Sequence, residues 1–156
     1  MAECTVAELG PKEVLDLVPQ REPFRFIDEI LELDSEHIVA TYRFPENADF
    51  YRGHFPGNPI TPGVILIEAM AQAGVVALGI YLFAMEASKE ELAKVVTVFT
   101  DANVDFQGSV LPGDRVTTTA KKVFWRRKKL RADVEMRTQD GTLVCSGVLS
   151  GMGVEQ

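Results

Sequence analysis

Residues 69–85, AMAQAGVVALGIYLFAM, carry no charge, and Glu68 and Glu86 bracket the run. A helix apolar on every side has two homes, a membrane or the centre of a folded domain. A membrane span needs about 20 apolar residues and rarely holds charges. Glu68 and Glu86 close this run before that length. The segment therefore predicts a buried core helix, and the rest of the chain must supply a cover for it.

The cover is visible as short amphipathic strands. KEVLDLVP predicts a helix that starts at Pro11 and is stopped by Pro19. FRFIDEILEL and HIVATYRF predict two strands joined by a turn at Asp34-Ser35-Glu36, the second ending at Pro45. YRGHFPGNPITP, residues 51–62, is dense in glycine and proline and predicts a stiff, irregular loop. The long helix starts at Pro62 or Gly63 and runs to about Met85, and SKEEL adds a short helical turn. Four strands follow: KVVTVFTDANVDF, RVTTTAKKVFW, LRADVEMRTQ and TLVCSGVLSGM. Leu111-Pro112-Gly113-Asp114 marks a turn, and Asp140-Gly141 marks a hairpin. No strand–helix–strand alternation occurs. The expected class is α+β, one mostly antiparallel sheet curling around one apolar helix. At 156 residues, with no internal repeat or linker, residues 1–156 are expected to form a single domain.

Composition removes several functions. The net charge of -7 and pI near 4.9 disfavour a nucleic-acid partner. Cys4 and Cys145 make no disulfide framework and match no zinc spacing, which suits a reduced, cytoplasmic protein. The N-terminal MAECTVAELGPKE lacks the apolar region of a signal peptide.

The chemistry gathers around residues 54–72. Of two histidines, His37 opens a strand and is read as a rim residue without a role. His54 lies in GHFPGNP, where pinned backbone holds a polar group in place, as a positioned base requires. Glu68 is alone within VILIEAMAQAGVV, one turn before Gln72 on the same helix face. Burial would raise its pKa and make it a proton donor near neutral pH. An equally simple reading makes it a structural hydrogen-bonding partner of Gln72. Pro62-Gly63 begins the helix, so backbone N–H groups there are free to stabilise charge on a carbonyl oxygen. Gly63, without a side chain, would let a substrate approach its amide.

The motifs His54-Phe55-Pro56-Gly57-Asn58-Pro59, Pro62-Gly63-Val64 and Glu68-Ala69-Met70-Ala71-Gln72 closely resemble the 3-hydroxyacyl-[acyl-carrier-protein] dehydratases of FabZ type. The likeness extends to PQREPFRFIDEILEL and VDFQGSVLPGDRV. It implies a hotdog fold, a curled antiparallel sheet around a central helix. It also implies a homodimer or assembly of dimers, with His54 of one chain facing Glu68 of the other, and neither a metal nor an organic cofactor. Glu68 matches the branch without dedicated isomerase activity. Glu22, Glu29 and Gln107 depart from residues common in that family, which are aromatic, basic and Arg respectively.

The implied reaction is dehydration of a 3-hydroxyacyl thioester to a trans-2-enoyl thioester. Gly63 would bind the thioester carbonyl, His54 would take the α-proton, Glu68 would protonate the leaving hydroxyl, and Gln72 would orient Glu68. Val75, Val76 and Leu78 would line an acyl tunnel or simply fill the core. Seven basic residues between Lys121 and Arg131 include Arg126, Arg127 and Lys128. They form either a solvated hairpin tip, with Trp125 as a packing residue, or a docking patch for an acidic acyl carrier protein with its phosphopantetheine arm. The rivals are a hotdog thioester hydrolase and a non-catalytic acyl-binding subunit.

Overall fold

The computed structural model describes residues 9–156. Cys4 and most of the N-terminal stretch MAECTVAELGPKE lie outside the described residues. The chain runs through α1 (Pro11–Leu17), β1 (Glu29–Leu33), β2 (His37–Arg43), the single turn α2 (Phe50–Gly53) and the central helix, Gly63–Ala84. That helix is continuous but not uniform. It comprises α3 (Gly63–Ala71), a wider π-helical stretch (Gln72–Ala77) and α4 (Leu78–Ala84). After it come α5 (Lys89–Ala93) and four long strands: β3 (Val95–Phe106), β4 (Arg115–Arg126), β5 (Lys129–Thr138) and β6 (Leu143–Glu155).

All six strands join one sheet in the order β1-β2-β4-β5-β6-β3, and every neighbouring pair is antiparallel. The central helix is long and apolar enough to cross a membrane by length and composition, yet here strands β2, β4, β5 and β6 all contact its middle. Alternate strand residues face it: Ile38, Ala40 and Tyr42 from β2, Val116, Thr118 and Ala120 from β4, and Leu130, Ala132, Val134 and Met136 from β5. A glycine sets the closest approach. A Cβ on Gly74 would stand 2.9 Å from the Ala120 Cβ and 3.1 Å from a Val134 methyl. This is the curled sheet around one helix that the sequence predicts, and it is the hotdog arrangement. Cys145 is buried in this core, where desolvation pushes its thiol up to about 11.

The turn at 111–114 and the hairpin at 140–141 form where expected, with Gly113 at φ 88° and Gly141 at φ 86°. SKEEL is capped as a helix: the Ser88 hydroxyl accepts from Glu91 N–H at 3.1 Å.

Three local expectations are corrected. Phe24–Asp28 is not strand. The Phe26 N–H donates to a side chain of the central helix, Gln72, instead of to a neighbouring strand. The loop read over 51–62 begins with the helical turn α2, closed by His54 N–H donating to Phe50 O at 3.0 Å. The expected single long helix widens at Gln72, a polar residue within its uncharged run.

Among the described residues β1 and β3 are the two edges of the sheet. The 12-residue strand β3 pairs there with β6 alone, and it exposes Val98, Phe99 and Phe106.

Candidate active site

His54 follows α2 and is fixed through both backbone and ring. Its carbonyl accepts from Ile60 N–H at 2.9 Å, and ring Nδ1 lies 2.9 Å from Ile60 O. A carbonyl oxygen only accepts, so Nδ1 carries the proton and Nε2 keeps the basic lone pair in the neutral ring. The intervening residues close a tight turn: Asn58 N–H donates to Phe55 O at 2.8 Å, Pro56 presets one φ, and Gly57 takes φ 73°. The Phe55 ring stacks on the imidazole with centroids 4.1 Å apart. The loop's exit is tied twice. Thr61 N–H donates to Val110 O at 2.9 Å, and the Tyr51 and Thr61 hydroxyls are 2.6 Å apart.

That exit delivers the chain to the central helix. Pro62 is its N-cap, and the first helical bonds run from Ile65 and Leu66 to Pro62 O. The amides of Gly63 and Val64 therefore precede the intrahelical bonds, at the positive end of the helix dipole. The room left by the missing Gly63 side chain is not open, however. A Cβ there would meet the Phe106 ring at 3.1 Å, so the glycine is used first for packing.

One and a half turns further on, the Glu68 carboxyl is half-buried. Gln72 Nε2 donates to Glu68 Oε1 at 2.9 Å and to Phe24 O at 2.8 Å, while Gln72 Oε1 accepts from Phe26 N–H at 2.7 Å. Gln72 is fully buried with both ends of its amide in use. Desolvation raises the Glu68 pKa above its ordinary value, opposed by the smaller effect of the Gln72 hydrogen bond. The two readings of Glu68 are thus not exclusive: it is a bonded partner of Gln72 and also a carboxyl biased toward its protonated form.

Glu68 lines a cavity of about 220 Å³ with Gln20, Ala71, Val75, Val76 and the β3 residues Thr97 to Phe99. Val76 and Thr97 also line an adjoining cavity of about 260 Å³, which reaches Ile80, Phe83 and Leu92. Leu78 lines neither and is core.

His54 lines neither cavity. Within one chain, among the described residues, Glu68 is joined to Gln72 and His54 to Ile60, with no hydrogen bond or ion pair between the two candidate groups. Arg126, Arg127 and Lys128 form the tip of the β4–β5 hairpin. Arg127 and Lys128 take φ 52° and 63°, and the Lys128 ammonium lies 5.9 Å from the centre of the Phe83 ring. His37 is at the rim, 2.9 Å from Asp34 Oδ1.

Sequence reasoning missed the backbone of Phe24 and Phe26 as the support of Gln72. It also missed Arg25 between them, whose guanidinium donates to Leu15 O, Val18 O and Gln20 O at 2.6, 3.1 and 3.1 Å. The signal was an arginine amid the apolar residues of FRFI. Gln20, a polar residue just after Pro19, was likewise passed over.

Known proteins resemble this chain in sequence and in fold. Residues 18–148 match the FabA-like domain family. The 3-hydroxyacyl-[acyl-carrier-protein] dehydratase FabZ of Streptococcus pyogenes is 39% identical over 142 residues, covering 89% of this chain and 94% of that protein. Its counterpart in Streptococcus uberis is 38% identical over the same shares. Among solved structures, the dehydratase heterocomplex ApeI:P from Xenorhabdus doucetiae superposes with a TM-score of 0.73 at 18% identity, covering 95% of this chain and 93% of that one. A thioesterase from Haemophilus influenzae gives 0.65 at 16% identity, covering 94% and 92%. The structural matches share the fold, and the sequence matches decide the family: this chain belongs to the FabA-like family, as a relative of the FabZ dehydratases.

Proposed function

We infer that this protein dehydrates 3-hydroxyacyl thioesters carried by acyl carrier protein to trans-2-enoyl thioesters, in fatty-acid biosynthesis. The observation that carries the reaction is the Glu68 carboxyl. It lies in a cavity, held by Gln72, with burial favouring its protonated form. A carboxyl so arranged is suited to give a proton to a leaving hydroxyl.

The steps follow from the groups on the chain. The Gly63 amide hydrogen-bonds the thioester carbonyl and stabilises the enolate that develops there. Nε2 of His54 removes the α-proton. Glu68 protonates the 3-hydroxyl, the C–O bond breaks, the C=C bond forms and water leaves. The imidazolium and the carboxylate then exchange the proton through solvent, and the site is reset. Gln72 fixes the carboxyl throughout. Val75 and Val76 line the path of the acyl chain.

A second copy of the chain completes the site. His54 and Glu68 are not joined within the described residues of one chain, and the Glu68 cavity is walled by Thr97, Val98 and Phe99 of β3, an edge strand without a second strand partner among the described residues that exposes Val98, Phe99 and Phe106. Pairing β3 with β3 of a second protomer covers that edge and brings a second HFPG loop toward the cavity. The basic hairpin tip at Arg126, Arg127 and Lys128 is the docking surface for the acidic carrier. The working location is the cytoplasm.

The test is direct. Purified protein is given a panel of 3-hydroxyacyl thioesters, on carrier and on coenzyme A, with enoyl absorbance and free thiol followed together. Enoyl formation without thiol release is expected. Thiol release without enoyl would assign hydrolysis, and binding without turnover at any chain length would assign an acyl-binding subunit.

A further inference from the structure

One peptide unit decides where the proton sits on the His54 ring. In the unit between Ile60 and Thr61, the carbonyl lies 2.9 Å from ring Nδ1 of His54, and the N–H donates to Val110 O at 2.9 Å. The unit is bonded at both ends, and hydrogen bonds in such a chain polarise one another. A single bond to Val110 still leaves it free to tilt. A second anchor comes from the Thr61 side chain, whose hydroxyl lies 2.6 Å from that of Tyr51. Both residues are buried. Tyr51 stands on α2, three residues before His54, which caps the same turn. The hydroxyl pair therefore joins the element that carries the imidazole to the peptide unit that supplies its acceptor. Phe and Val would fill the same space without withdrawing two hydroxyls from water. What the hydroxyls add is direction.

We propose that Tyr51 is a positioning residue for His54, whose hydrogen bond with Thr61 holds the Ile60 carbonyl against Nδ1–H and so keeps the lone pair on Nε2. The proposal rests on the reading of His54 as the base. Without the hydroxyl pair the Ile60–Thr61 unit tilts, its oxygen moves off the ring, and the neutral imidazole divides between its two tautomers. A ring with the proton on Nε2 has no base to offer there. The Thr61 bond to Val110 and the Pro62 cap remain, so the start of the central helix and the Gly63 amide stay in place.

A double variant separates positioning from stability. Tyr51→Phe or Thr61→Val alone strands one buried hydroxyl and should lower the urea midpoint. Tyr51→Phe with Thr61→Val replaces both partners by apolar groups of the same shape and should fold nearly as well as wild type. A merely structural pair would be rescued in the double variant. A positioning pair is not: with a 3-hydroxyhexanoyl thioester, kcat should still fall about fivefold, the worth of one neutral hydrogen bond, while KM holds. The imidazole itself gives the second readout. In protein labelled with 15N-histidine, at a pH above the ordinary imidazole range, wild type should show His54 as the Nδ1–H tautomer, and the double variant should gain an Nε2–H share. The chain has two histidines, and His37→Gln assigns them. Thr61→Ser retains a hydroxyl and should keep both kcat and tautomer. Wild-type kcat in the double variant, or a loss of kcat with the tautomer unmoved, would overturn the proposal. Should the double variant not fold, Tyr51→Phe is compared with Thr61→Ser by the same two readouts. A tautomer shift with kcat unchanged would uphold the positioning and refute His54 as the base. In a wild type without turnover the dehydratase reading falls, and the tautomer alone decides the role of Tyr51.

Discussion

Gln72 holds Glu68 from one turn away, with Nε2 donating to Oε1 at 2.9 Å. The same amide is clamped by the backbone of a segment 46 and 48 residues distant, through Phe26 N–H and Phe24 O. The carboxyl's position is therefore set by two parts of the chain that approach each other only when the fold is complete. Gln72→Leu should break this relay. The buried Phe26 N–H loses its acceptor, at a cost of about 1–3 kcal/mol in urea unfolding. The Gln72 hydrogen bond also lowers the Glu68 pKa against the larger effect of desolvation, so removing it should raise that pKa further. A variant with reduced kcat and an alkaline limb of the pH–rate profile shifted upward is expected. An unshifted limb would show that Gln72 supports the fold without touching the chemistry.

Each of the two groups proposed to react, His54 and Glu68, should be indispensable, and they should act across protomers. His54→Ala and Glu68→Gln are each expected to lower kcat by about 10²–10⁴-fold, the usual contribution of a positioned acid or base. When the two inactive variants are co-expressed in equal amounts, half of the resulting dimers are mixed. A mixed dimer has one site with both wild-type groups and one with neither. Activity should return to about a quarter of wild type, the fraction set by random two-fold assembly. No recovery in verified mixed dimers would place both groups in one chain and exclude the shared site.

The raised pKa of Glu68 also predicts how stability depends on pH. The folded protein binds the Glu68 proton more tightly than the unfolded chain does, where the carboxyl titrates near its ordinary 4.5. That contribution to stability is complete below the unfolded value and is lost as pH rises through the folded one. Glu68→Gln keeps an acceptor for Gln72 and removes the titration. Its melting temperature should match wild type at pH 4 and exceed it at pH 8, even as the same substitution is expected to abolish turnover. A variant less stable than wild type at pH 8 would mean that the fold favours the ionised carboxylate, so that desolvation is not the dominant influence on Glu68.

Most of the architecture was legible because it is written locally. The uncharged run marks the central helix, alternation marks β4 and β5, and Pro112-Gly113 and Asp140-Gly141 mark turns whose glycines do take positive φ. What was not legible depends on distant partners. FRFI alternates like a strand, yet Phe24 and Phe26 give their backbone groups to Gln72, a choice that no nearby residue reveals. The β4–β5 turn carries two positive φ values at Arg127 and Lys128, where glycine or asparagine would be the usual signal. Of the site, His54, Gly63, Glu68 and Gln72 stood out as polar or special residues in apolar or rigid surroundings. The support from Arg25 did not, because its meaning lies in which backbone carbonyls it reaches.

The hairpin tip yields the prediction about the carrier. Arg126, Arg127 and Lys128 sit at the two-residue turn that closes the β4–β5 ladder, away from the Glu68 cavity wall. Reversing all three to Glu should lower kcat/KM for carrier-linked substrate by about tenfold or more at low salt, since complementary charge acts chiefly on encounter. The deficit should shrink as salt screens both proteins. A small thioester analogue, which needs no docking, should keep nearly its full rate. Lys128 complicates the triple variant, because its ammonium also faces the Phe83 ring, which lines the larger cavity. Arg126→Glu with Arg127→Glu leaves that contact in place and should retain most of the selective loss. Equal losses with both substrates would make the tip a structural element, and no loss with either would make it an ordinary solvated turn.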